Sequence, residues 1–359
     1  MQNKSLKGAE IRGLQTSLLD WFLRHQRVMP WRATKGRRPD PYHVWLSEIM
    51  LQQTTVVTVG PYFMKFIDRW PTIKDLAKAK LDDVLAAWAG LGYYARARNL
   101  HKCAVAVTTE HGGTFPETVD GLLELPGIGP YTAAAIASIA FNQPAVAVDG
   151  NVERVVSRFF AIEEPLPLSK EQIRAGAAKL AKDNPSPGDF TQAFMELGAT
   201  VCTPRNPKCG LCPWREECAA RKKGIAEELP RKLPKAARPV RYGKVFWISD
   251  AKGQFLIHKR AGKGLYEGMY QLPTTDWIGE KGGVAALKPP AAFTRLQSLQ
   301  VEVRHTFTHF DLVLEIWTGA YTKNKKPPEG VWITHAKLDD YALPTLMKKA
   351  VKLASAKRA

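Results

Sequence analysis

Cysteine is scarce in this chain, five in 359 residues, and four of them crowd into one short stretch. A disulfide framework is therefore not expected: no apolar leader precedes Met1-Gln2-Asn3-Lys4, and a chain this long buries a core without covalent staples. Long apolar runs are also missing. No segment approaches the roughly 20 apolar residues that a membrane helix needs, so a cytoplasmic rather than a membrane protein is expected. The sequence shows no internal repeat. Acidic residues are in the minority, 34 against 52 Lys and Arg, and the formal charge is +18. Such a field attracts polyanions, and nucleic acid is the commonest polyanionic partner of a cytoplasmic chain.

What cysteine there is forms a pattern. Cys202, Cys209, Cys212 and Cys218 follow the spacing C-x6-C-x2-C-x5-C, close enough to surround one metal centre. Tetrahedral zinc and an iron–sulfur cluster both take four thiolates, so spacing alone leaves the metal open.

The first two-thirds of the chain reads as helical, with Ile11, Leu14, Leu18 and Phe22, then Leu81, Val84, Leu85 and Trp88, at helical spacing. From Ala219 to Arg241 the composition turns basic and proline-bearing, which predicts an extended linker. Beyond it the period becomes two. Residues 244–248 and 254–258 read as a strand pair across Asp250-Ala251-Lys252-Gly253, with further strands at 312–317 and 331–334 and a helix from Pro344. The expected fold is therefore multidomain. An all-α domain spans residues 1–220, a basic linker 221–241, and a smaller α+β domain 242–359.

Leu125-Pro126-Gly127-Ile128-Gly129-Pro130-Tyr131-Thr132-Ala133 sits between two helical stretches. Gly127 and Gly129 allow a sharp turn that bares backbone amides, and the helix that opens at Pro130 offers free N–H groups. A loop of this kind grips a phosphate without reading bases.

With that hairpin in place, nearly the whole chain resembles the MutY-type adenine DNA glycosylases of the helix-hairpin-helix base-excision superfamily. Five blocks carry the resemblance: Pro30-Trp31-Arg32; Trp45 through Glu48 to Thr54; Gly90-Leu91-Gly92-Tyr93-Tyr94 with Arg96 and Arg98; the hairpin continuing to Val148-Asp149-Gly150-Asn151-Val152; and the cysteine cluster. The resemblance implies a 4Fe–4S cluster on the four cysteines. The partner it implies is double-stranded DNA carrying adenine opposite 8-oxoguanine or guanine. We expect a monomer working in the bacterial cytoplasm, associated with the nucleoid when acting.

It also implies roles. Cleaving a purine N-glycosidic bond requires a protonated leaving base and a stabilised cationic sugar, a task for two carboxylates in different environments. By resemblance Glu48 protonates adenine, and its apolar neighbours Ile49, Met50 and Leu51 would raise its pKa. Asp149, at the end of the apolar run 145–148, faces the oxocarbenium ion and is oriented by Asn151. Bifunctional relatives carry a lysine where this chain has Tyr131, so no Schiff base forms and the abasic strand stays intact. Gln53 and Tyr93 match positions that wedge into the base stack, with Leu51, Gln52 and Thr54 beside them, and Arg32 and Gln192 line the adenine pocket.

In the C-terminal part, residues 259–273 resemble a Nudix domain, but residues 274–290 hold no R-E-x-x-E-E box for metal ions. The fold is then reused for recognition. Phe307-Thr308-His309 matches the loop that reads 8-oxoguanine, with threonine in place of the commoner serine. An endonuclease III-type enzyme is the nearest alternative, and Tyr131 and the C-terminal domain speak against it.

Overall fold

The computed structural model describes residues 6–33, 37–234, 236–250, 252–260, 264–290, 293–321 and 330–357. Lys235 of the linker, Ala251 of the expected turn, and Ala261, Gly262 and Lys263 of the Nudix-like segment lie outside the described residues. Helices in chain order are α1 (Gly8–His25), α2 (Pro41–Leu51), α3 (Val56–Arg69), α4 (Ile73–Lys78), α5 (Leu81–Trp88), α6 (Ala95–Glu110), α7 (Val119–Leu123), α8 (Pro130–Phe141), α9 (Gly150–Phe160), α10 (Lys170–Ala181), α11 (Pro187–Thr200) and α12 (Ala219–Lys222). Strands β1 (Val240–Ile248), β2 (Phe255–Lys259), β3 (Tyr270–Gln271), β4 (Phe293–Thr306), β5 (Asp311–Tyr321) and β6 (Val331–Ile333) follow, and α13 (Thr345–Ala356) ends the fold.

The chain divides into two compact units: Met1–Ala77 with Lys102–Lys235, and Lys78–His101 with Ala236–Ala359. Residues 78–101, which fall within the stretch 1–220 of the expected helical domain, cluster with the second unit, and side-chain contacts hold them within it. Lys259 Nζ meets Asp82 Oδ1 at 2.7 Å, Arg98 Nη1 donates to the Glu267 carbonyl at 2.9 Å, and Tyr94 packs edge-on against Tyr266. These partners lie more than a hundred residues away, beyond the reach of a composition window.

In the first unit, α2 starts where Asp40 Oδ1 accepts from Tyr42 N at 2.8 Å, with Pro41 at the first helical position. The alanine-rich α8 is buried from Thr132 to Ser138 and packs against α2, α7 and α11. Close approach is enforced at Gly198 of α11, where an added Cβ would stand 2.6 Å from Asn151 Cβ of α9. Leu18 and Phe22 of α1, Val152 and Phe159 of α9, and Phe190 and Phe194 of α11 share a core with Trp214 of the cysteine loop. Trp214 also donates its indole N–H to the Leu14 carbonyl at 2.8 Å. Each fully buried aromatic contributes roughly 2–3 kcal/mol, so Trp214 pins that loop to the helices.

The stretch 221–241, expected as an extended linker, is held to the first unit by several of its described residues. Leu229 is 2% exposed, Arg158 Nε donates to its carbonyl at 2.9 Å, and Leu166 exchanges backbone bonds with Arg231 and Leu233 at 2.8 and 3.1 Å.

The second unit has two three-stranded sheets, ordered β1-β5-β4 and β3-β2-β6. β1 runs parallel to β5, and β4 antiparallel to it. The expected pairing of residues 244–248 with 254–258 is corrected here. Both strands exist and Trp247 stacks on Phe255, but among the described residues their backbones share a single bridge, Ser249 to Phe255, and no hairpin ladder. Asp250 Oδ1 accepts from Lys252 N and Gln254 N, which turns the chain sharply and sends β2 to pair with β3 and β6. Among the described residues no helix is long and apolar enough to cross a membrane.

Candidate active site

A cavity of about 490 Å³ opens in the first unit, walled by α2, α8, the start of α9 and α11. Arg32, Glu48, Leu51, Gln52, Gln53, Thr54, Tyr131, Asp149, Asn151 and Gln192, all singled out from sequence, line it. α2 is buried from Tyr42 to Met50 apart from His43, so Glu48, 8% exposed, projects from an apolar helix. Burial pushes its carboxyl up to about 7, with the Asp149 charge adding to the rise and Tyr131 opposing it. Tyr131, in the first turn of α8, donates its hydroxyl to Glu48 Oε2 at 2.8 Å.

Asp149 caps α9. Its Oδ1 accepts from Asn151 N at 2.9 Å and Val152 N at 2.8 Å, while Oδ2 accepts from Asn151 Nδ2 at 2.7 Å. Burial holds its pKa above the ordinary value, and these three donors pull against that rise. An added Cβ at Gly150 would meet open space, so nothing crowds the carboxylate from that side. Asn151 is itself oriented: Arg154 Nη2 donates to its Oδ1 at 2.9 Å and to the Gly198 carbonyl at 2.6 Å, and Arg154 Nε reaches the Cys202 carbonyl at 2.6 Å.

Gln52 Nε2 donates to Thr132 Oγ1 at 3.3 Å, tying the end of α2 to α8. Gln53 next to it has φ 58, a left-handed backbone that a long side chain adopts only under constraint. In the hairpin Gly127 takes φ 79, and Ile128 is buried beneath the turn while Gly127 is exposed.

Tyr93, Phe307, Thr308 and His309 belong to the second unit. Phe307 N donates to the Phe310 carbonyl at 2.9 Å and closes a tight loop between β4 and β5, which leaves Thr308 and His309 exposed. Tyr93, also left-handed at φ 48, lies 3.2 Å from Thr308 through their hydroxyls.

Cys202, Cys209, Cys212 and Cys218 surround one small cavity of about 30 Å³ together with Arg158, Arg215 and Arg221. Among the described residues no three His, Cys, Asp or Glu side chains converge enough to hold a single metal ion. Four half-buried thiols lining one shared space fit an iron–sulfur cluster. Arg158, 2% exposed, sets its Nη1 3.4 Å from Cys202 Sγ and supplies positive charge there.

Comparisons with known proteins give the family. The HhH-GPD superfamily of base excision DNA repair proteins matches residues 46–182, the iron–sulfur binding domain of endonuclease III matches 202–218, and the NUDIX domain matches 244–353. The adenine DNA glycosylase of Homo sapiens is 35% identical over 408 residues, spanning 96% of this chain and 74% of the human protein. The chain belongs to the adenine DNA glycosylases. That of Buchnera aphidicola subsp. Schizaphis graminum is 33% identical, spanning 94% of this chain and 97% of its own length. Among solved structures, a thermostable thymine-DNA glycosylase aligns with TM-score 0.53 and 29% identity over 59% of this chain and 97% of that one. Endonuclease III in a non-covalent DNA complex aligns with TM-score 0.50 at 24% identity, over 61% of this chain and 99% of that one, and shares the fold. The chain is thus a DNA N-glycosylase of base excision repair, with an iron–sulfur binding domain over the stretch that holds the four clustered cysteines.

Two groups in this glycosylase escaped the sequence reading. Glu196 lies one helical turn beyond Gln192 on α11, and Arg154 lies three residues beyond Asn151 on α9. Helical spacing from a residue already singled out was the available signal for both.

Proposed function

We propose that this adenine DNA glycosylase removes adenine paired with 8-oxoguanine or guanine and leaves an intact abasic strand. The pairing of Glu48 with Tyr131 in one cavity with Asp149 carries the reading. Tyr131 occupies Oε2 of Glu48. The acidic proton of Glu48 therefore sits on Oε1, free to pass to a ring nitrogen of the flipped base. Asp149, its oxygens fixed by three N–H donors, holds a negative charge toward the sugar as the bond lengthens. Glu48, deprotonated by that transfer, then takes a proton from the attacking water.

Strand cleavage needs an amine to attack the sugar. Among the described residues lining the cavity there is no lysine, and Tyr131 is engaged by Glu48. The hairpin at Gly127 and Gly129 grips a phosphate, and Gln53 and Tyr93 enter the base stack beside the extruded adenine. Thr308 offers its hydroxyl to 8-oxoguanine, flanked by Phe307 and His309. Residues 242–359 then serve recognition and residues 1–220 the chemistry, in a monomer. Cys202, Cys209, Cys212 and Cys218 would hold the iron–sulfur cluster, and the loop they close would display Arg205, Lys208 and Arg215 to the phosphate backbone.

A single-turnover assay tests this on duplexes with adenine opposite 8-oxoguanine, read with and without alkali. Strand breaks appearing only after alkali are expected. Breaks without alkali would show lyase chemistry and overturn the proposal, and equal rates opposite thymine would remove the recognition role of Thr308.

A further inference from the structure

Glu196 is a full charge, 1% exposed, in the wall of the cavity, and the chemistry above has no use for it. Its Oε1 accepts from Arg27 Nε at 2.6 Å and from Arg27 N at 3.2 Å. Its Oε2 accepts from Arg27 Nη2 at 3.2 Å and Arg32 Nη2 at 3.1 Å. Arg32 Nη1 donates in turn to the Arg27 carbonyl at 2.7 Å. Charge-assisted bonds on both ends of a planar guanidinium leave it no freedom to rotate. Arg32 Nε therefore has one direction to point, and there it meets Gln192 Oε1 at 3.2 Å.

A guanidinium only donates, so the Gln192 atom that faces it must be the amide oxygen. The amide nitrogen is turned the other way, with one hydrogen directed toward the Gly188 carbonyl at 3.5 Å and the second left for the cavity. Without Arg32 held in place, the amide flips freely, since its two faces have the same shape and opposite polarity.

We propose that Glu196 is a positioning residue for base selection: by locking Arg32, it holds the Gln192 amide in the flip that shows the extruded base a donor and no acceptor. The inference rests on the cavity being the base pocket of the proposed reaction. A donor-only wall suits the unprotonated ring nitrogen on the Watson–Crick edge of adenine. It opposes hypoxanthine, which has nearly the same outline but carries a proton on that nitrogen. Sites that read polarity in this way discriminate far more strongly than sites that read shape.

The test compares single-turnover release of adenine and of hypoxanthine, each opposite 8-oxoguanine. Binding to non-cleavable duplexes carrying the 2′-fluoro analogues is measured alongside. Glu196→Gln is expected to lower the adenine-to-hypoxanthine ratio at least tenfold in both readouts, and Glu196→Asp to keep most of it. Adding Glu196→Gln to Gln192→Leu should lower the ratio no further, because both changes remove the same contact. If Glu196→Gln does not fold, Arg32→Lys gives the same reading, since an ammonium keeps the charge opposite Glu196 but not the planar fork. A slower Glu196→Gln enzyme with an unchanged ratio would overturn the inference and leave Glu196 a structural ion pair. A wild-type enzyme that releases no adenine would instead overturn the proposed reaction.

Discussion

Glu48→Gln slows adenine release by about 10² to 10⁴-fold at neutral pH, the range general acid catalysis supplies. Glutamine keeps the acceptor that Tyr131 bonds but has no proton to give. The wild-type pH profile should carry the signature of the same group. Burial raises the Glu48 carboxyl to about 7, and the proposed acid is its protonated form. The single-turnover rate should therefore be level below that pH and fall about tenfold per unit above it, and Glu48→Gln should lose this dependence. A wild-type rate that climbs through pH 7 would remove Glu48 from the acid role.

Stability moves in a related direction. The native state binds the Glu48 proton more tightly than the unfolded chain does, so the contribution of Glu48 is full below its unfolded pKa. It is lost as pH rises through about 7. At pH 8 the glutamine variant, with no charge to bury, should melt above the wild type.

Asp149→Asn separates charge from architecture. Asparagine is as good a helix cap as aspartate, and its oxygen can still accept from Asn151 N and Val152 N. Its NH2 group would face Asn151 Nδ2, donor against donor. Asn151 must then turn and give up its bond to Arg154. The fold should survive with a melting temperature within a few degrees of wild type. The rate should fall by about 10² to 10³-fold or more, the scale of losing a preorganised electrostatic partner of the transition state. A folded Asp149→Asn enzyme that retained its rate would show that the sugar cation needs no anion at this position.

Much of the site was legible because its signals are local. The apolar neighbours of Glu48 foretold its burial, the turn residues foretold the hairpin, and four close cysteines foretold a shared metal centre. The remainder depends on partners far apart in the chain. Arg27 and Glu196 are 169 residues apart, and Arg154 reaches 48 residues to the Cys202 carbonyl. Nothing in a local window separates such arginines from the many that only solvate this basic surface. The same limit explains β1. A turn before β2 reads as a hairpin, yet β1 finds its partner in β5, where Phe246 lies beside Trp317 in a common core.

The backbones of Gln53 and Tyr93 also bear on how such an enzyme can change. Each holds a left-handed conformation that glycine would adopt with roughly 1 kcal/mol less strain. Selection for thermal stability alone would push both positions toward glycine and erase the side chains proposed to enter the stack. Robustness and repair thus pull these two codons in opposite directions, and a laboratory lineage bred only for heat resistance would drift toward a protein that folds better and mends less.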